Sequence, residues 1–291
     1  MNDVQVLGLR LANPLVIGSG LLTDQERNIR KLLAAGAGAV VTKTIHPNPP
    51  TTLDERIVRI PTGMLNSTTY SKRPVSWWLR LLRSLADDRS PVIASIHADS
   101  PEELGSLAEA VVLAGAPALE LGISCLNEEE GDLQDTPERV LAYTRAVRQR
   151  VTAPIAVKLG IGEGLPDRVT AAIEGGTDAI TISDTIPGAA IADDGQLALG
   201  GVYGYSGPGI KPLVLAAIVR LRRRGFDVPI LASGGVTSGA DVHDYLRVGA
   251  SVAQVYTALH TNMFDTLRRI LDEVASAPAA AVTPDHAAVA G

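Results

Sequence analysis

The chain has 291 residues, of which 46% are hydrophobic, so it can bury either one large α/β core or two smaller ones. Its formal net charge is −6, and its lysines and arginines are scattered, which argues against nucleic acid as a partner. One dense basic run, residues 220–224, lies late in a helical segment, where cations favour the helix dipole.

The single cysteine, Cys125, excludes an internal disulfide framework and suits a reducing cytoplasm, where we expect the protein to reside. The first residues lack a basic start followed by a long apolar block, so no signal peptide is predicted. No uninterrupted apolar stretch reaches the length of about 18 residues that a membrane span requires. We expect one domain over residues 1–274 and a weakly structured Ala/Pro-rich tail over 275–291.

Taken in chain order, residues 4–11 predict a small hairpin that turns at Gly8. Short apolar runs, each bounded by turn residues, then recur eight times, at 15–18, 39–43, 92–96, 118–123, 155–159, 179–183, 229–232 and 252–256. Segments with helical periodicity separate most of these runs, at 26–35, 101–114, 136–151, 166–174, 212–224 and 238–248.

Strand alternating with helix eight times predicts an α/β fold of the (β/α)8 TIM barrel type, with the N-terminal hairpin closing its bottom. An open, doubly wound sheet is the alternative. Two long insertions, 44–91 after the second strand and 184–212 after the sixth, would lie over the top face. Loops of that length at the carboxyl ends of barrel strands tend to be functional.

Cys125 lies in a loop just past the fourth apolar run, within the segment ELGISCLN (120–127). Barrel enzymes keep their reactive groups at such strand ends, and a thiolate can serve as a proton-abstracting base. A lone cysteine is more often a small buried apolar residue, so its neighbours decide the interpretation.

The loops after the last two runs carry Gly234 and Gly235, and then Tyr256 and Thr257. In barrels these two loops are the usual phosphate site, because glycine lets backbone N–H groups approach an anion at a helix start. Two tight turns without a ligand are the simpler alternative. Lys43 and Lys158 close two further apolar strands, which suggests a site that holds negative charge, such as a phosphate or a reduced flavin.

Together these segments resemble the soluble, cysteine-using class of the dihydroorotate dehydrogenase family along the chain to about Phe264. The resemblance rests on ordered matches at Asn13-Pro14, Ser19-Gly20, Thr42-Lys43-Thr44, Arg56, Gly63 to Ser67, the Glu120 to Asn127 loop, Val157-Lys158-Leu159, Thr181 to Gly188, Gly207 to Pro212, Gly234-Gly235 and Thr257. Membrane-bound members, which carry a serine at the position of Cys125, resemble this chain less.

The resemblance implies bound FMN and a two-electron reaction in which hydride passes to flavin N5 while Cys125 removes the neighbouring proton. It implies that Lys43 and Lys158 contact the flavin ring, that Asn66 and Asn127 hydrogen-bond the substrate, and that the glycine pair and Thr257 hold the phosphate. We expect catalytic roles for Cys125 and Lys43. The cofactor site is expected to comprise Ser19, Gly20, Lys43, Thr44, Lys158, Ser183, Gly207, Gly234, Gly235, Tyr256 and Thr257, and the substrate site to comprise Asn66, Thr68, Thr69, Tyr70, Gly122, Asn127, Asp184 and Thr185. No metal is expected.

The chain departs from the family pattern at substrate positions. Gly122 and Asp184 each stand where the family has asparagine, and Leu126 replaces a proline. Where the family has a flexible loop that contains a small Gly-Leu pair, this chain has Thr68-Thr69-Tyr70. Asparagine donates and accepts hydrogen bonds, whereas ionised aspartate only accepts, so the pocket is predicted to favour N–H or cationic groups near Asp184. The alternative is that a local cation pairs with Asp184 or that small shifts in the loop restore donors.

Three hypotheses follow. The chain is an FMN-dependent oxidoreductase for a substrate other than dihydroorotate, or an authentic dihydroorotate dehydrogenase with a drifted pocket. The third hypothesis is a flavin-binding barrel without redox turnover, or a phosphate-sugar barrel enzyme that never binds flavin. The resemblance implies a homodimer, while some soluble members instead join an iron–sulfur electron-transfer partner, and no motif here chooses between them.

Overall fold

The computed structural model describes residues 4–50, 55–127 and 135–276. The strands are β1 (Val4–Val6), β2 (Leu9–Leu11), β3 (Leu15–Ile17), β4 (Ala39–Val41), β5 (Ile57–Ile60), β6 (Gly63–Asn66), β7 (Val92–Ile96), β8 (Ala118–Gly122), β9 (Ile155–Leu159), β10 (Ala179–Ile182), β11 (Ile186–Gly188), β12 (Tyr203–Ser206), β13 (Ile230–Ser233) and β14 (Val252–Val255). The α-helices are α1 (Glu26–Ala34), α2 (Val75–Asp87), α3 (Pro101–Leu113), α4 (Pro137–Arg148), α5 (Leu165–Gly175), α6 (Lys211–Arg223), α7 (Gly239–Arg247) and α8 (Met263–Ser276).

Eight parallel strands close into a barrel in the order β3, β4, β7, β8, β9, β10, β13 and β14, and β14 pairs with β3. Each of them is followed in the chain by one of the eight helices. The predicted (β/α)8 barrel is therefore confirmed, and the closure between β14 and β3 excludes the open sheet. The barrel strands read as short continuous apolar runs because side chains on both of their faces are buried.

The N-terminal hairpin packs against the bottom of the barrel, as the sequence predicts. Strands β1 and β2 pair antiparallel around Leu7 and Gly8, and Gly8 has a φ of 68°. Val6 and Leu11 belong to one apolar cluster with barrel residues such as Val16. This contact covers one end of the barrel and leaves the carboxyl ends of the strands for the functional loops.

The two predicted insertions come together in one four-stranded antiparallel sheet, which the sequence pattern does not reveal. Its strand order is β11, β12, β6 and β5, so two strands from each insertion lie side by side. The two insertions meet where Asn66 pairs with Gly204, which is 138 positions away in the chain. The first insertion is also shorter than predicted, because its last part forms α2. Trp78 of that helix is fully buried against the barrel.

The end of the predicted domain, residue 274, lies near the end of α8, which continues to Ser276. The rest of the predicted tail lies outside the described residues, and the single-domain assignment stays a prediction. Within the described ranges, no helix combines the length and the apolar character that crossing a membrane would need.

Candidate active site

A cavity of about 340 Å³ opens at the carboxyl ends of the barrel strands, beneath the four-stranded sheet. Every residue that the sequence assigns to catalysis, cofactor or substrate borders it, although their individual roles stay predictions. These are Ser19, Gly20, Lys43, Thr44, Asn66, Thr68, Thr69, Tyr70, Gly122, Cys125, Asn127, Lys158, Ser183, Asp184, Thr185, Gly207, Gly234, Gly235, Tyr256 and Thr257.

The glycine pair after β13 forms one end of the cavity. Gly235 has a φ of 71°, and a Cβ placed there would lie 2.7 Å from Lys211 Cβ and 3.0 Å from Gly207 O. Only glycine tolerates both the left-handed backbone and this close approach. Helix α7 begins just beyond, where Ser238 and Asp241 form a capping box. A helix start behind a glycine loop suits a phosphate.

Asp241 fixes the geometry of this loop. Its Oδ2 accepts hydrogen bonds from the backbone N–H groups of Thr237 and Ser238, at 2.8 and 2.9 Å, and Lys211 Nζ pairs with its Oδ1. Burial raises the pKa of Asp241, but the Lys211 ammonium and these donors outweigh it and bring the pKa to about 2. The loop is therefore held by charge-assisted hydrogen bonds without help from a ligand.

Tyr256, after β14, closes the adjoining wall. Its hydroxyl accepts a hydrogen bond from Leu22 N at 3.2 Å, and its ring lies so close to Gly20 that a Cβ there would be 2.1 Å from the ring. Burial raises the pKa of Tyr256 to about 12, so it remains a neutral phenol. Thr257 follows, and its hydroxyl lies 2.9 Å from Ser206 Oγ of β12.

The two lysines at strand ends have different surroundings. Lys43 is 4% exposed, and burial lowers its pKa although Glu55, Cys125 and Asp24 oppose the effect. Burial also acts to lower the pKa of Lys158, but the carboxylates of Asp184 and Glu120 outweigh it and hold this pKa above its ordinary value. The structure thus provides one buried lysine, Lys43, and one half-buried lysine, Lys158, which has a carboxylate within ion-pair distance.

Asp184 is the partner of Lys158. Its Oδ1 lies 3.2 Å from Lys158 Nζ and accepts a hydrogen bond from Thr185 N at 2.7 Å. This ion pair is the local-cation alternative that the sequence leaves open. Because the lysine offsets much of the carboxylate's charge, the predicted preference for a cationic group is weakened, whereas the ability to accept N–H groups remains.

Glu120, to which sequence reasoning assigned no role, lies fully buried in the barrel. Its Oε2 accepts hydrogen bonds from Thr181 Oγ1 at 2.8 Å and Gln254 Nε2 at 3.0 Å. A charged residue in the middle of an apolar strand was the available sequence signal, because such a residue is almost never buried without partners.

Asn66 and Asn127 are bound to the protein itself. Asn127 Nδ2 donates to Thr68 O at 2.8 Å and to Asn66 Oδ1 at 3.3 Å, while its Oδ1 accepts from Gly204 N at 2.9 Å. Asn66 Nδ2 donates to Gly204 O at 3.1 Å. The two amides therefore tie the loop after β8 to both insertions, and Asn127 has its donors and its acceptor engaged.

Tyr70 stacks with two histidines that sequence reasoning missed. Its ring centroid lies 4.5 Å from that of His46 and 4.8 Å from that of His97, with nearly parallel planes. His46 and His97 follow β4 and β7, so their position at strand ends was the available signal. His97 and Tyr70 both border the cavity.

Cys125 is half-buried and borders the cavity just beyond β8. Its charge acts on both Lys43 and Lys158, so all three groups lie in one electrostatic neighbourhood. Cationic neighbours favour the thiolate form of a cysteine, which is the form that acts as a base. The loop continues into residues 128–134, which lie outside the described residues.

The cavity of this closed barrel has a glycine-rich loop suited to an anion at one end, and two lysines and a cysteine at the other. These features define a class of barrel enzymes that bind a phosphorylated cofactor. The residues fit FMN, because its phosphate and its flavin ring match these two ends. A sequence model of the dihydroorotate dehydrogenase family matches residues 1–277.

Curated relatives agree with the family match. The chain is 33% identical over 278 residues to the catalytic subunit of dihydroorotate dehydrogenase B (NAD(+)) of Pyrococcus horikoshii, covering 93% of this chain and 90% of that protein. The proteins of the same name from Methanocella arvoryzae and Methanopyrus kandleri are 32% and 34% identical, over 88% and 91% of this chain and 86% and 87% of theirs. The chain belongs to the dihydroorotate dehydrogenase family, whose members are FMN-dependent oxidoreductases acting on CH–CH groups.

Proposed function

We propose that this enzyme interconverts a C–C single bond and a C–C double bond in a small heterocyclic metabolite other than dihydroorotate. Bound FMN supplies a hydride acceptor at its N5 atom. Cys125 takes or returns the proton on the neighbouring carbon, and the observation that carries this role is its position on the cavity wall beside Lys43 and Lys158.

The remaining roles follow from the two ends of the cavity. Lys43 and Lys158 would stabilise negative charge on the flavin ring, and Gly234, Gly235 and Thr257 would bind the phosphate. The other predicted cofactor contacts, which also border the cavity, would lie along the FMN: Ser19, Gly20, Thr44, Ser183, Gly207 and Tyr256.

The substrate side of the cavity supports a ligand other than dihydroorotate. Asp184 offers a carboxylate where the family has an amide, so a ligand carbonyl facing it would lack a donor. Gly122 leaves open space, since a Cβ there would have no neighbour closer than 3.8 Å. Tyr70 adds a ring held by two histidines. These features favour a ligand that presents N–H groups to Asp184 and is bulkier near Gly122.

An authentic dihydroorotate dehydrogenase is the second candidate, and the names of the curated relatives favour it. In that case Asn66 and Asn127 would exchange their bonds to each other and to Thr68 for bonds to the substrate. The Lys158–Asp184 pair would have to open or turn so that a donor replaces the carboxylate.

Titration of the purified enzyme with orotate separates the two candidates. Purified protein carrying one FMN per chain supports the cofactor assignment, and a colourless protein whose thermal stability does not respond to added FMN contradicts it. If the substrate differs from dihydroorotate, orotate perturbs the flavin spectrum only at high concentration. A saturating change at micromolar orotate contradicts the proposal and supports the second candidate.

We further infer that the chain forms a homodimer in the cytoplasm, with residues 1–274 as one domain. The relatives are named catalytic subunits of an NAD(+)-linked enzyme, which supports an additional electron-transfer subunit for this chain. Anaerobic addition of NADH to the isolated enzyme tests the inference that an electron-transfer subunit is needed. Rapid bleaching of the flavin without a partner contradicts the need for one, whereas slow bleaching supports it.

A further inference from the structure

Three potential metal ligands converge beside the substrate end of the cavity. His46 and His97 follow adjacent barrel strands and are each 2% exposed, whereas the side chain of Asp99 is 63% exposed. One ligand atom from each of the three residues lies within 4.8 Å of the other two. His46 Nε2 and Asp99 Oδ1 are 3.4 Å apart.

Backbone groups hold the Nδ1 atoms of both imidazoles. His97 Nδ1 lies 2.9 Å from Gly122 O, and because a carbonyl only accepts, Nδ1 carries the proton and Nε2 the lone pair. His46 Nδ1 lies 2.9 Å from Asn48 O and 3.1 Å from the donor Asn48 N. The tautomer that donates to the carbonyl leaves the lone pair on Nε2, whereas the tautomer that accepts from Asn48 N carries the proton on Nε2. Metal-binding histidines are typically fixed in this way through their other nitrogen.

His46 Nε2 is buried and finds no hydrogen-bond partner among the described residues, although a carboxylate lies close to it. A protonated Nε2 aimed at that carboxylate would form a hydrogen bond. A lone pair facing a carboxylate instead leaves two electron-rich atoms side by side, which a cation between them would satisfy.

The charged groups whose electrostatic effect reaches His97 are Arg139 and Asp99. Arg139 is the cation that opposes binding here, and the Asp99 carboxylate opposes it in turn.

We propose that His46, His97 and Asp99 bind a divalent transition-metal ion of the Zn²⁺ type, with water completing the coordination. Two imidazoles and a carboxylate form a donor set that suits Zn²⁺. Zinc ligands at about 2.0–2.1 Å in a tetrahedron lie about 3.4 Å from each other, which the His46–Asp99 pair already matches. The widest edge of the triangle needs to close by no more than about 1.4 Å, and the exposed Asp99 side chain can supply much of that movement.

The ion would stiffen one wall of the substrate pocket. The Tyr70 ring lies against both imidazoles, and the carbonyl that orients His97 belongs to Gly122. Metal binding would therefore fix two of the positions at which this chain departs from its family. The inference does not depend on the identity of the substrate.

Equilibrium dialysis of the FMN-loaded enzyme, stripped with EDTA and then exposed to Zn²⁺, tests the site by elemental analysis. We expect one saturable Zn²⁺ per chain and a melting temperature that rises with Zn²⁺ concentration, because the ion binds only the folded state. Asp99→Asn and His97→Gln should weaken binding at least about tenfold. The exposed position of Asp99 makes its variant the safer test if His97→Gln does not fold.

Matched controls separate this site from adventitious binding. Asp88→Asn and His243→Gln remove the same side-chain types elsewhere, and Cys125→Ser removes the thiol, so all three should retain the bound Zn²⁺. Flavin absorbance confirms that each variant is loaded and folded. Absence of saturable binding, or equal affinity in wild type and Asp99→Asn, overturns the proposal.

Discussion

The two ends of the cavity are built differently. The end near Gly235 is built mainly from backbone, with a left-handed glycine and a helix start. The Asp241 carboxylate holds this backbone by accepting hydrogen bonds from N–H groups of its own loop. The end near Asp184 and Tyr70 consists of side chains that bind each other across the two insertions and the barrel. Backbone geometry accepts few substitutions, whereas contacts between side chains can be exchanged. We therefore expect cofactor binding to tolerate little change at the first end, and substrate choice to be adjustable at the second.

Removing the thiol of Cys125 should have the largest effect on the reaction rate. Cys125→Ala should keep its FMN and lose about 10²–10⁴-fold in rate with its substrate, as expected for loss of a general base. Cys125→Ser should recover little near neutral pH, because a hydroxyl is far less acidic. Anaerobic flavin-reduction kinetics measure both variants. An alanine variant as fast as wild type would leave the cysteine with a packing role only.

At the backbone end, Gly235→Leu should release the flavin. The new side chain would meet Lys211 and Gly207 O and would strain a φ of 71°. Gly195→Leu is the matched control, since its φ is 80° and no atom of the described residues lies within 4 Å of the place its Cβ would take. Flavin content after gel filtration measures both. Equal FMN retention would show that the close approach at Gly235 is dispensable.

Replacing the side chains at the substrate end should change selectivity without releasing the cofactor. Gly122→Asn combined with Asp184→Asn should tighten orotate binding by about fivefold or more, as one recovered hydrogen bond would. It should also lower the pKa of Lys158, because Asp184 raises it. Asp193→Asn, on the exposed part of the second insertion, is the control. Unchanged orotate affinity in the double variant would place specificity elsewhere.

A smaller effect should appear in the pH dependence of stability. The folded-state pKa of His97, about 4, lies below its ordinary value of 6.5. Between these values the unfolded chain binds a proton that the folded chain does not, so stability should fall as the pH drops from 6.5 to 4 and then level off. In EDTA, His97→Gln should flatten this slope by up to about 1.4 kcal/mol per pH unit. Denaturant unfolding at several pH values measures it, with His243→Gln as the control. Identical slopes in wild type and His97→Gln would contradict the burial of a neutral imidazole.

The sequence predicted the barrel well because each strand is a short apolar run followed by a helix, and local patterns of this kind are legible in one chain. The predicted first insertion, 44–91, includes helix α2, because the segment before this helix is long and shows no regular pattern in the sequence. The four-stranded sheet was not predictable, since its pairing depends on residues far apart in the chain, such as Asn66 and Gly204 at a separation of 138 positions.

The candidate site likewise contains features that local patterns predict and features that depend on distant residues. Cys125, the lysines and the glycine pair follow strand ends, so their convergence could be predicted from barrel geometry alone. The Lys158–Asp184 pair and the stack of Tyr70 on His46 and His97 depend on the exact placement of side chains from separate loops. No spacing rule specifies such contacts.

Anaerobic stopped-flow mixing of the oxidised enzyme with dihydroorotate tests the central claim most directly. If the substrate end has been rebuilt for another ligand, the flavin bleaches slowly or not at all, while dithionite still reduces it. Bleaching at ordinary turnover rates, about 1–10³ s⁻¹, would contradict the claim and identify the chain as a dihydroorotate dehydrogenase that tolerates an altered pocket.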